Sequence, residues 1–481
     1  MSLRNKTVSG LIWTVMDSMV LRGLSFLATI LLARWLGPAQ FGLIGMIAVF
    51  IAIGTNIADS GMSASLIRTK DAEEADYSTV FILNLVLSST FYLLIFFAAP
   101  YIAAFYHQPI VTKLIRIYGL TFMISAFSAV QLAILESQMK FKQIMKQNMP
   151  GTLAGVFTGI FLGYLDCGAW SIIFMYLTTQ LVQSAVLWWR SSWRPSFSYS
   201  KEKAKYHFGF GYKLMLSGLL NTIFQNIYNI VVGRLYTVKE LGYFERSRAF
   251  NDYPVSIITT AMNRVSYPLL AGLQGDKQLI SAVYRKIMRL TFFITCPLMF
   301  GAAAIARPLF HIVLGEQWLP AVPYFQVLCL ASIFYPIHAF NLNVFKVYGR
   351  SELFLKLEIV KKSIIVIGLF ASFRFGVIGL VWSSVICNYL ALFINTYYSA
   401  DMINYPSKQQ FLDMLPTILI SGLMFLLVYF TFRWQGASFS PLAQILSGIT
   451  LCIFIYLGFN KLIHAEPLSY LVETIKRRKL R

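Results

Sequence analysis

In a chain where 57% of the residues are hydrophobic and only 13% are charged, polar side chains inside apolar stretches stand out. Ser18, Arg22, Ser25 and Thr29 follow at steps of four, three and four, which puts them on one helical face. Gly218, Thr222, Gln225 and Asn229 repeat that spacing 200 residues later, with Asn221 and Asn226 beside them. Glu245, Arg248 and Asp252 stand at i, i+3 and i+7, so two carboxylates flank Arg248 on one helix. Arg246 points about 100° away from Glu245 and is the better placed anion ligand. Guanidinium groups suit phosphate because their fork meets two oxygens at once. Amides and hydroxyls suit polyhydroxylated ligands, and Tyr228 offers a ring for stacking. Arg22, Ser25, Thr29, Asn221, Gln225, Asn229, Arg246 and Arg248 are therefore the candidate binding set. Asp17, Asp59 and Asp252 are read either as ligands of a coupling cation or as halves of structural ion pairs. Asp17 lies about 140° around the helix from Arg22, whereas Asp59 shares a face with Asn56 and Ser63 and could pair with Arg22 or carry a coupling cation.

Metal and redox chemistry find no support. The cysteines (Cys167, Cys296, Cys329, Cys387 and Cys452) are scattered and form no C-x-x-C, and the five histidines form no ligand pair. No cofactor is expected. His338 reads as a satisfied buried histidine. Asp71, Glu73, Glu74 and Asp76 cluster ahead of an apolar stretch, without a histidine partner nearby in the sequence, and read as a solvated acidic loop.

The elements that must position these residues follow from composition. The chain has 481 residues, 41 Lys and Arg against 20 Asp and Glu, and a net charge of +21. It is too apolar for a soluble domain and too poor in total charge for a nucleic-acid binder. A polytopic membrane protein remains. Fourteen windows are long enough for helical crossings of about 20 residues, the first at 10–33 and the last at 441–460. The windows at 150–165 and 363–373 are short, and 243–263 carries Glu245, Arg246, Arg248 and Asp252. With the N-terminus inside, 30 of the 41 basic residues fall in inner loops and tails, seven in outer loops and four in spans. Both termini are therefore expected on the cytoplasmic side. The basic start leads into an apolar segment interrupted by Asp17 and Arg22, which reads as an uncleaved first span.

The loop 190–213, with Trp193, Tyr199, Tyr206 and Phe208 among basic residues, is expected at the membrane interface. In the tail, Leu468, Leu471, Val472 and Ile475 have helical spacing ahead of Lys476–Arg481, as in an amphipathic helix on an anionic inner leaflet. Nucleic acid is not an expected partner. Outer loops of no more than about 15 residues and the lack of a D-x-D count against a membrane-bound glycan enzyme. A multidrug or organic-cation antiporter calls for a carboxylate-rich cavity, and Arg22 counts against that.

The chain also repeats itself. Ala33–Gly42 (ARWLGPAQFG) aligns without a gap with Gly233–Gly242 (GRLYTVKELG) at an offset of 200. A six-span repeat keeps its orientation, so the copies form a parallel repeat about an axis along the membrane normal. The expected architecture is all-α: an N-lobe at 1–200 with helices 1–6, a C-lobe at 201–400 with helices 7–12, and helices 13–14 with a basic tail at 401–481. The two lobes are expected to enclose a central cavity.

The stretch from Arg34 to Leu43 resembles the "LGPxxyG" signature of Wzx-type polysaccharide flippases, within the multidrug/oligosaccharidyl-lipid/polysaccharide exporter superfamily. Asp59-Ser60-Gly61 with Ala64–Arg68, and Val238–Phe244, resemble further stretches of the same family. The likeness is nearest to the colanic acid exporter branch and covers nearly the whole chain. It implies transport rather than catalysis, namely movement of an undecaprenyl-pyrophosphate-linked glycan across a bacterial inner membrane. It also implies membrane lipids, a glycan polymerase and a chain-length regulator as partners. Cationic residues on the first, second and eighth spans serve in related flippases. Arg22 and Arg246 or Arg248 match that pattern, whereas the second span offers Asp59.

Overall fold

The computed structural model describes residues 3–59, 61–69, 71–196, 198–273, 276–435, 439–470 and 473. The side chains of 3–15, 17, 18, 261, 263–265, 267, 268, 271, 277, 346, 351, 434 and 435 are outside the described set. Asp17, Ser18 and most of the proposed tail helix therefore lie outside it. The described residues are overwhelmingly helical, with no strand among them.

The first unit runs from Met1 to Gly242. It begins with α1 (Leu3–Asp59), which leaves helical geometry at Gly37 (φ 76, ψ 175) just before Pro38. Glycine accepts this backbone angle without steric cost, and proline needs no amide partner where the next helical segment begins. Then come α2 (Met62–Arg68), α3 (Glu74–Tyr106), α4 (Ile110–Tyr118), α5 (Leu120–Ser137), α6 (Phe141–Tyr164) and α7 (Ala169–Arg190). After an irregular stretch come α8 (Lys201–Gln225), α9 (Ile227–Leu235) and the start of α10 (Val238–Ala271). The second unit, Tyr243–Arg481, holds the rest of α10. It continues through α11 (Lys277–Ala304), α12 (Ala306–Val313), α13 (Val322–Ser332) and α14 (Tyr335–Val347), and then α15 (Ser351–Ser372), α16 (Gly376–Ile403), α17 (Ser407–Gln435) and α18 (Pro441–Leu462).

The fourteen apolar windows all fall on these helices, several with a break of one or two residues. Among the described residues nine stretches are long and apolar enough to cross a membrane. Two of them, Met19–Arg68 and Glu352–Ile403, have 50 and 52 residues, more than twice the ~20 of one crossing. Each is interrupted where glycine takes a positive φ, at Gly37 and at Gly376 (φ 75). The helices α6, α8 and α10 have the length but are not among the nine, since their sequences are too polar.

Close packing explains α6. Gly151, Gly155, Gly159 and Gly163 recur every fourth residue, the small-residue spacing that lets membrane helices approach closely. A Cβ on Gly155 would stand 1.9 Å from Thr179 Oγ1, and one on Gly163 would stand 2.3 Å from Leu32 Cδ2. The opposite side exposes Leu153, Phe157, Phe161 and Tyr164. The helix is thus seated on α7 and α1 by one face and presents apolar groups on the other.

The two repeat motifs meet in space. A Cβ on Gly42 would stand 1.9 Å from the Val238 carbonyl oxygen, and one on Gly242 would stand 1.9 Å from that of Pro38. These four positions are two pairs at the offset of 200. Such reciprocity, in which i touches j and the partner of j touches the partner of i, is the mark of a local two-fold relation.

In the second unit a polar seam runs through buried helices. Tyr284 on α11 donates to Asn341 Oδ1 on α14 at 2.5 Å, and Ser399 on α16 donates to the same oxygen at 3.0 Å. Arg285 binds Asp413 through two nitrogens at 2.6 and 2.9 Å. Phe293, Ile420, Met424 and Tyr456 form an apolar cluster joining α11, α17 and α18. The five cysteines are free.

Candidate functional site

Helix α8 carries the candidate residues Asn221 and Gln225, and its placement begins before it. The irregular residues 191–200 lie along the start of α3. Trp193 packs edge-on against Tyr77 and Phe81. The Ser196 and Ser78 hydroxyls are 3.0 Å apart, and the Ser200 amide donates to Thr79 Oγ1 at 3.1 Å. Ser200 then caps α8 by accepting from the Lys203 amide. Residues 201–213, expected in an interfacial loop, are therefore the first half of a helix.

The start of α3 closes a capping box between Glu73 and Asp76. Asp76 is 6% exposed and receives the Glu73 amide at 2.8 Å, the Lys203 ammonium at 2.7 Å and His207 Nε2 at 3.1 Å. A carboxylate only accepts, so Nε2 carries a proton. In the neutral ring Nδ1 then accepts from the Ser65 hydroxyl of α2, 2.9 Å away. His207 is fully buried. Lys203 also reaches Glu73 at 2.6 Å, and these hydrogen bonds to Asp76 and Glu73 push its ammonium pKa up. Arg68 donates to the Tyr206 hydroxyl at 3.2 Å, which lowers the phenol's pKa, and lies 4.4 Å over the Phe210 ring. The solvated-loop expectation is thus corrected for Asp76. Its histidine partner is 131 residues away in the chain, beyond any local pattern. The available signals were the Glu73-x-x-Asp76 spacing and a histidine one turn before Gly211.

Further along α8 the contacts continue on one face. Gly61, at φ 65, faces Gly211, whose carbonyl oxygen would be 2.6 Å from a Cβ there. Asn56 Nδ2 donates to Thr222 Oγ1 at 2.7 Å, and a Cβ on Gly218 would stand 2.5 Å from Asn56 Oδ1. Beyond α8, Arg234 donates to the Phe105 carbonyl at 2.6 Å and contacts His107.

The candidate residues divide accordingly. Arg22 is exposed on α1, and no ion pair joins it to Asp59 among the described residues. Ser25 is half-buried. Thr29 is buried and donates to the Phe26 carbonyl at 2.8 Å. Asp59 is exposed at the end of α1. Asn221 and Gln225 are exposed on α8, whereas Asn229 is buried on α9, its Oδ1 without a hydrogen bond among the described residues. In the second unit Arg248 pairs with Asp252 at 3.3 Å. Asp252 also accepts from Asn251, which donates to Ser332 at 2.7 Å. Glu245, the other expected flank of Arg248, instead keeps a buried Oε1 without a hydrogen bond among the described residues. Arg246 is half-buried. No group of three or more metal-ligating side chains occurs among the described residues.

Long apolar helices with polar faces define a multi-pass membrane protein. The family described as "Polysaccharide biosynthesis protein" matches residues 31–323, and the chain belongs to it. The chain is 25% identical over 437 residues to the teichuronic acid biosynthesis protein TuaB of Bacillus subtilis (strain 168), covering 89% of each. It is 23% identical over 365 residues to the lipopolysaccharide biosynthesis protein WzxC of Escherichia coli (strain K12), covering 72% of this chain and 74% of that one. Among solved structures, the lipid II flippase MurJ in an inward closed conformation superposes with a TM-score of 0.74. That match is 17% identical and covers 94% of this chain and 99% of MurJ. The chain is a multi-pass membrane protein of polysaccharide biosynthesis.

Proposed function

We propose that the chain moves an undecaprenyl-pyrophosphate-linked oligosaccharide from the inner to the outer leaflet of the bacterial inner membrane, supplying O-antigen, capsule or exopolysaccharide synthesis. The family match across residues 31–323 carries this reading. In it, Arg22, Arg246 and Arg248 meet the pyrophosphate, and Ser25, Thr29, Asn221, Gln225 and Asn229 meet the sugars. Asp17, Asp59 and Asp252 serve a coupling cation or structural pairing. Both termini are cytoplasmic, and transport proceeds by alternating access of lobes 1–200 and 201–400, with 401–481 appended. The reciprocal contact of Pro38–Gly42 with Val238–Gly242 supports the parallel repeat. A polymerase and a chain-length regulator act on the delivered glycan.

Deletion of the gene tests the direction of transport. Lipid-linked glycan is expected to build up in the inner leaflet, and build-up in the outer leaflet overturns the reading. Arg22→Ala is expected to abolish transport at normal expression, with partial recovery in Arg22→Lys, because lysine keeps the charge but loses the fork. Full transport by Arg22→Ala removes the phosphate role of Arg22.

A further inference from the structure

Helix α8 is held by the protein mainly along one face, with Arg68 also reaching Tyr206 and Phe210 in its first half. At about 100° per residue, His207, Gly218 and Thr222 fall together, and this is the face held by Asp76, Ser65 and Asn56. Leu216, Leu220 and Ile223 share a second face and are exposed, as expected of groups that meet lipid. Lys213, Ser217, Asn221 and Gln225, at steps of four, form a stripe that winds about 120° around the helix, from beside Leu220 at Lys213 to the azimuth of His207 at Gln225. All four are exposed. Ser217, Asn221 and Gln225 make no hydrogen bond among the described residues, and Lys213 only lies 5.9 Å from the ring of its neighbour Tyr212.

Depth makes this stripe informative. Lys213 lies six residues beyond His207, about 9 Å along the axis, and Gln225 lies about 18 Å beyond Lys213. Amide and hydroxyl groups over that length cannot be left against hydrocarbon without cost. The anchored face fixes the rotation of α8, so the polar stripe cannot turn inward to find partners. It must border water or a polar ligand.

We propose that this stripe is a binding track, with Lys213 as a phosphate subsite at its end nearer the Asp76–His207 cluster and Ser217, Asn221 and Gln225 as the hydroxyl-binding length beyond it. The inference rests on the transport reading above and adds Lys213 and Ser217 to it. Lysine suits phosphate as a point charge, and the amides beyond it both donate to and accept from sugar hydroxyls. The order along the helix, cation first and amides after, matches a ligand with an anionic end and a polyhydroxylated body.

The full-length protein in phosphatidylcholine nanodiscs tests this, titrated with undecaprenyl pyrophosphate. Lys213→Ala is expected to weaken binding roughly tenfold or more, since a charge-assisted hydrogen bond is lost. Lys213→Arg should retain binding, and Lys213→Glu should weaken it further. Lys205→Ala, an exposed lysine on another face of the same helix, should bind as wild type. Equal loss in Lys205→Ala and Lys213→Ala overturns the subsite in favour of general surface charge. A second arm replaces the probe with phosphatidylglycerol. A Lys213→Ala effect confined to that lipid makes Lys213 an anchor for membrane phosphate and overturns the track. Wild-type binding with an unaltered Lys213→Ala variant overturns the track alone. A wild-type protein that does not bind the probe overturns the transport reading with it.

Discussion

The cluster of Ser65, Asp76, Lys203 and His207 and the stripe from Lys213 to Gln225 stand on the same helix and use polar side chains in opposite ways. In the cluster each charge meets an opposite charge or a hydrogen bond within 3.1 Å. In the stripe the polar groups are exposed and spend no hydrogen bond on a described neighbour. A polar residue in an apolar chain can hold helices together or wait for a ligand, and its satisfaction separates the two. Thr222 and Asn221 are adjacent in the sequence, yet Thr222 is bonded to Asn56 while Asn221 is open.

The difference predicts that substitutions on the packed face change stability, whereas those on the open face change transport alone. Asp76→Ala should have the largest effect. It leaves buried His207 without its acceptor and Lys203 without the more buried of its two anions at once. A sharp fall in the midpoint of thermal unfolding of the detergent-solubilised protein is expected, and an unchanged midpoint makes the cluster incidental. Gly218→Leu comes next, because its side chain must enter space held by Asn56, and overpacking costs about 1–3 kcal/mol. Thr222→Ala removes one partly buried hydrogen bond to Asn56 and should cost about 1 kcal/mol, readable in the same melt. Gly209→Ala is the smallest and opposite in sign. Nothing lies within 4 Å of a Cβ there, so the helix should gain about 0.5–1 kcal/mol from alanine. Destabilisation by Gly209→Ala equal to that of Gly218→Leu removes the distinction between the faces.

Much of the fold was legible in the residues. The apolar windows fall on helices because about 20 apolar residues in lipid have few alternatives to a helix. The break before Pro38 was marked by its preceding glycine. The loop motifs matched at an offset of 200 also meet in space, Gly42 against the Val238 carbonyl and Gly242 against that of Pro38. The candidate site was legible only in part. Helical spacing grouped Gly218, Thr222, Gln225 and Asn229, but Thr222 is packed, Gln225 is exposed and Asn229 is buried after the break at Asn226. Lys213 was assigned to a loop because charge suggested a membrane boundary, whereas α8 continues through it.

By itself the sequence determined an all-helical membrane chain, its span windows and the residue types able to meet an anionic, hydroxyl-rich ligand. Those properties follow from local composition and periodicity. Only the tertiary structure decided which polar residues are consumed by packing. Asp76 and His207 are 131 positions apart, and Asn56 and Thr222 are 166 apart. Periodicity assigns a residue to a face of its helix, but the neighbouring helix decides whether that face is covered.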